Sequence, residues 1–70
     1  MTGNATLILN GEEHPHAPGM TVASLVASLA QSPAGVAVEI NGAILSPELF
    51  AQRQVQPGDT LEIIRFVGGG

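Results

Sequence analysis

An α+β fold, a mixed sheet of four to five strands packed on one helix, is predicted for this 70-residue chain by three features. Apolar residues recur at i, i+3, i+4 and i+7 in one stretch, Val22, Leu25, Val26 and Leu29, which is the period of a helix with one buried stripe. Val36, Val38 and Ile40 instead alternate with Ala37, Glu39 and Asn41, the period of a strand with one buried face. Asn-Gly and Pro-Gly pairs punctuate the chain between such stretches, as tight turns require. Apolar residues make up 44% of the chain, but nine are alanine, so one core layer is expected and a buried substrate cavity is not.

Taken in order, Thr6 to Asn10 reads as a strand, and Asn10-Gly11 as the turn of a first hairpin. The return strand, Glu12 to Ala17, is polar and contains Pro15, which cannot donate a ladder hydrogen bond and so belongs on a sheet edge. Thr21 is placed to cap the helix, with Met20 and Leu25 as a hydrophobic staple. The helix should end near Gln31, because Pro33 restricts Ser32 and Gly35 follows. Val36 to Asn41 is the next strand, closed by Asn41-Gly42. Ser46-Pro47 reads as an N-cap with proline at the first helical position, opening a short turn expected to carry Leu49 into the core. Gln56-Pro57-Gly58-Asp59 fits a type II turn. The final strand, Thr60 to Phe66, carries Leu61, Ile63, Ile64 and Phe66 and is expected at the centre of the sheet beside the first. This order of elements is that of a β-grasp domain, expected over residues 1–67, with 68–70 as a flexible glycine tail.

Composition excludes much chemistry. Six acids against two arginines and no lysine give a net charge of −4, the wrong sign for a phosphate backbone, so no nucleic-acid partner is expected. The absence of cysteine removes disulfides, thiolate metal sites and thiol nucleophiles; the absence of lysine removes Schiff bases and phosphate-loop chemistry. No long apolar run or basic leader is visible, so no membrane association is expected and the cytoplasm is the expected location. His14 and His16, at i, i+2 with Glu12 just before them, read as two solvated histidines on an edge strand rather than as a metal site. Ser24, Ser28, Ser32 and Ser46 lack a nucleophile signature, and Glu12 and Glu13 should point to opposite faces of their strand.

The end of the chain is different. Gly68, Gly69 and Gly70 add nothing to a core and cost entropy to order, so residue chemistry alone allows two readings. One is a frayed end. The other is a thin tail that threads a narrow channel and presents the Gly70 carboxylate to a partner's active site. A carboxylate is a poor electrophile until its oxygen is made a leaving group, so that reading requires an ATP-using partner that forms an acyl-adenylate.

The chain resembles the ubiquitin-like sulfur carriers, most closely the carriers of thiazole biosynthesis in thiamine synthesis (ThiS type). The resemblance rests on the strand leading into Asn10-Gly11, on Thr21-Val22, on Glu39-Ile40-Asn41-Gly42, on Pro47-Glu48-Leu49-Phe50-Ala51 followed by Val55, Gly58 and Asp59, and on the ending Glu62 to Gly70. It departs from the family at Met1 to Asn4, which precede the first strand, and at His14-Pro15-His16. The resemblance implies a protein co-substrate that is not itself an enzyme. An E1-like adenylyltransferase (ThiF type) would use MgATP to adenylate Gly70. A persulfide sulfur donor would then convert it to a thiocarboxylate, and thiazole synthase (ThiG type) would take the sulfur. The carrier would bind no cofactor or metal and would be a monomer when free. The alternatives in the same superfamily are the small subunit of molybdopterin synthase and a ubiquitin-like modifier; outside it stands a small binding module with an incidental tail.

The last strand also predicts a docking face. If Leu61 and Ile63 face the helix, Glu62, Ile64 and Phe66 face away, and an exposed Ile64-Phe66 pair beside Val67, Gly68 and Gly69 would bind a partner. The acidic balance would steer the domain toward basic partner surfaces, or simply keep it soluble.

Overall fold

The computed structural model of the chain describes residues 5–29 and 31–66. Its strands are β1 (Thr6–Leu9), β2 (Glu12–Pro15), β3 (Val36–Ile40), β4 (Ala43–Leu45) and β5 (Thr60–Arg65); helix α1 spans Val22–Ser28, and single 3₁₀ turns occupy Pro33–Gly35 and Pro47–Leu49. The five strands form one sheet in the order β2-β1-β5-β3-β4. Only β1 and β5 run parallel; the other neighbours are antiparallel. The last strand is thus central and beside the first, and the polar, proline-bearing β2 lies on an edge, both as expected.

Two hairpins share one turn chemistry. Asn10-Gly11 and Asn41-Gly42 have φ of 52° and 84°, and of 53° and 86°, the left-handed pair that a two-residue type I′ turn requires. Both asparagines also clamp β5. Because β1 pairs β5 only through Ile8 and Leu9, the Ile63 N–H has no strand partner there, and it donates to Asn10 Oδ1 (2.8 Å). Across the sheet the Thr60 N–H donates to Asn41 Oδ1 (3.0 Å), while Asn41 Nδ2 donates to Asp59 Oδ1 (3.0 Å).

Helix α1 starts at Thr21 with a reciprocal cap. The Ser24 N–H donates to Thr21 Oγ1 (3.1 Å) and the Thr21 N–H to Ser24 Oγ (2.9 Å), a serine doing what glutamate or glutamine usually does. The next free donors are met by a distant segment: Val22 N–H donates to the Arg53 carbonyl and Ala23 N–H to the Phe50 carbonyl (2.9 and 3.0 Å). Val22, Leu25 and Val26 are buried, and Met20 and Leu29 pack at the margin of the same core. Facing them are Leu7 of β1, Val36, Val38 and Ile40 of β3, and Leu61 and Ile63 of β5.

The Pro47 turn corrects two expectations. Leu49 is 42% exposed, and Phe50, 1% exposed, is the residue that enters the core. The bond from Ala23 N–H to the Phe50 carbonyl ties that backbone to the start of the helix and aims the larger side chain inward. Ser46 holds the N-cap position without a side-chain cap bond. Pro47 has no N–H to be capped, and the donors that follow are satisfied by backbone, Leu49 N–H on the Ser46 carbonyl (2.9 Å) and Phe50 N–H on the Pro47 carbonyl (3.1 Å).

Candidate functional site: the outer face of the last strand

Alternation along β5 divides its side chains between two surfaces. Leu61 and Ile63 lie in the core, whereas Glu62, Ile64 and Phe66 point away from the helix, with Ile64 54% and Phe66 57% exposed. Strand register identifies what stands beside them: Ala37 opposes Ile64, Glu39 opposes Glu62, and on the far side of β3 Ile44 opposes Glu39. Ile44, 79% exposed, is therefore a third large apolar side chain on this outer face. Sequence reasoning missed it by ending at the Asn41-Gly42 turn. Continuing the two-residue hairpin would have paired Ile40 with Ala43 and placed Ile44 beside Glu39.

Phe66 N–H donates to the Gly35 carbonyl (2.9 Å), which anchors the chain at the base of the tail. Val67, Gly68, Gly69 and Gly70 lie outside the described residues.

The other candidate groups are held in structural roles. His14, half-buried, donates from Nδ1 to the Pro15 carbonyl (2.8 Å). His16 differs from the expected solvated histidine: it is half-buried, and Nε2 donates to the Val55 carbonyl (2.6 Å), because the chain leaving β2 turns over the segment that follows Phe50. Among the described residues no three His, Cys, Asp or Glu side chains are grouped to hold a metal ion. Ser24 belongs to the helix cap, and Ser28 Oγ donates to the Leu25 carbonyl (2.7 Å). Burial pushes the Asp59 carboxyl up, but the hydrogen bonds from Asn41 Nδ2 and the Gln56 N–H, with the positive charges of Arg53 and His16, outweigh it and hold the group below its usual value. A shallow depression of about 250 Å³ lies at the β1–β2 end, lined by Ala5, Thr6, Glu13, His14 and Pro15. No helix among the described residues is long and apolar enough to cross a membrane.

Such a surface suits docking. The chain is 36% identical over 64 residues to the sulfur carrier protein ThiS of Escherichia coli, covering 91% of this chain and 97% of that one. It is 44% identical over 64 residues to a thiazole synthase of Paramagnetospirillum magneticum, of whose length it spans only 20%. The crystal structure of the thiamine biosynthesis protein ThiS from Geobacter metallireducens superposes with a TM-score of 0.73 at 35% identity, covering 93% of this chain and 99% of that one. That neighbour has the ubiquitin-like β-grasp fold, and so does this chain. Since the sequence model of the ThiS family matches residues 5–70, nearly the whole length, the chain belongs to the ThiS family.

Proposed function

We propose that this chain is the sulfur carrier of thiamine thiazole biosynthesis and that its reactive group is the carboxylate of Gly70. One observation carries the reading furthest: the same stretch of about 64 residues matches nearly all of a sulfur carrier protein and one fifth of a thiazole synthase. A segment found both alone and within a synthase is what a carrier working directly with that synthase would leave. The outer face supports it, because Ile44, Ile64 and Phe66 are large apolar side chains left exposed on it.

In the proposed cycle an E1-like adenylyltransferase of the ThiF type binds the carrier and MgATP. The Gly70 carboxylate attacks the α-phosphorus, and pyrophosphate leaves. A persulfide sulfur then attacks the acyl carbon, AMP leaves, and a second thiol cleaves the sulfur–sulfur bond to release the thiocarboxylate, itself ending in a disulfide. Thiazole synthase of the ThiG type receives the sulfur. The carrier supplies docking and a side-chain-free terminus; the partner supplies the nucleotide site and the charge stabilisation at the transition state. Cytoplasmic location follows from the same reading. The test is to incubate the chain with the adenylating enzyme, MgATP and a persulfide donor and to weigh its terminus. Thiocarboxylate at Gly70, lost when Gly69 and Gly70 are deleted, is expected; an unchanged carboxylate overturns the proposal.

A further inference from the structure

Glu39 and Glu62 oppose each other directly across β3 and β5 on the outer face. Such partners have Cβ atoms about 4.5–5.5 Å apart, and like charges in that position destabilise a sheet. No cation among the described residues is paired with either acid. Among the described residues neither carboxylate takes part in a hydrogen bond to another side chain, Arg53 donates to the Gln54 carbonyl (2.8 Å), and Arg65 opposes Val36 on the alternate side of β5. The acids are nevertheless framed by apolar groups: Ile44 beside Glu39, and the Ala37–Ile64 pair two residues along.

We propose that Glu39 and Glu62 together receive an arginine side chain of the protein that docks on this face, a proposal that rests on reading the face as a docking surface. A wholly apolar partner would strip water from two adjacent negative charges without compensation, which is strongly unfavourable. A guanidinium is planar and carries five donors in a fixed fork, so it bridges two carboxylates where a lysine offers only a point charge. A second copy of this chain does not fit. Two-fold pairing through this face would bring the acid pair against itself, and among the described residues β3 and β5 present no cation on it. The occupant is therefore a different protein, with an arginine set among apolar side chains. The carboxylate pair is held ready at some cost to the free domain and becomes favourable only on docking.

The probe is the adenylating enzyme, titrated calorimetrically with wild-type carrier, with Glu39→Gln/Glu62→Gln, and with Glu12→Gln/Glu48→Gln, which changes the net charge equally at exposed positions off the outer face. Removing the outer-face pair is expected to raise the melting temperature of the free chain, weaken binding about tenfold or more, and flatten its salt dependence. The Glu12/Glu48 control should stay within about threefold of wild type, as expected of exposed charges. An unchanged affinity for the outer-face variant, with Phe66→Ala still impaired, sinks the arginine proposal alone. Equal weakening by both double variants also sinks it, leaving only long-range steering. Normal binding by all variants, Phe66→Ala included, removes the docking surface itself.

Discussion

Truncation of Phe66 to alanine separates docking from folding, because this residue is 57% exposed and sits where the sheet gives way to the tail. A buried aromatic side chain removes about 150–250 Å² from water, so a partner covering the exposed part hides roughly 85–140 Å². At about 25 cal/mol per Å² this contributes about 2–3.5 kcal/mol to binding, or roughly 30- to 300-fold in affinity. The share already buried in the free domain, roughly 65–110 Å², bounds the loss of stability at about 1.5–2.5 kcal/mol. A domain of this size typically has about 3.5–10 kcal/mol, so the variant should remain folded in the cold. Circular dichroism fixes the temperature at which both proteins are native, and calorimetric titration with the adenylating enzyme is done there. Binding within about twofold of wild type would show that Phe66 is not covered by that partner, and an unfolded variant would show that it serves the core.

Two further outcomes test the framework that presents the face. Phe50→Ala should cost about 3–5 kcal/mol in denaturant unfolding, as expected for a buried aromatic, whereas Leu49→Ala, at a position 42% exposed, should cost about 1 kcal/mol; the reverse order would refute the packing of the Pro47 turn. The depressed carboxyl of Asp59 makes stability depend on acid in one direction: its contribution is complete above the usual aspartate value and is lost as pH falls through the lower folded value. Asp59→Asn should therefore lower the melting temperature at neutral pH and narrow its gap to wild type below about pH 4. A gap that widens in acid would contradict the hydrogen bonding at the Asn41–Asp59 corner.

Local chemistry made most of the fold readable. Turns that need positive φ at two successive residues select Asn-Gly, proline excludes β2 from the sheet interior, and a period of two against one near 3.6 separates strands from helix. Features that depended on distant partners were not readable. Nothing near Leu49 and Phe50 reveals which one enters the core, since that segment is tied to the helix by a bond from the distant Ala23 N–H to the Phe50 carbonyl. Sequence places His16 on an exposed edge because its acceptor, the Val55 carbonyl, is remote along the chain. The outward direction of Ile64 and Phe66 followed from alternation, but Ile44 and the Glu39–Glu62 pairing needed the register of two strand pairs at once. The tail differs again: its three glycines are chemically suggestive as sequence, and they fall within the stretch that the family model matches.

The most direct measurement is the mass of the tryptic peptide that follows Arg65 in protein isolated from its native cells. That peptide, Phe66 to Gly70, contains no methionine, so exchange of oxygen for sulfur cannot be mistaken for methionine oxidation. Sulfur carriage predicts a fraction ending in thiocarboxylate at Gly70, and that fraction should vanish when the adenylating enzyme is removed from the cells. A terminus that is carboxylate alone while thiamine is being made, or a Gly70 joined to lysines of other proteins, would contradict it.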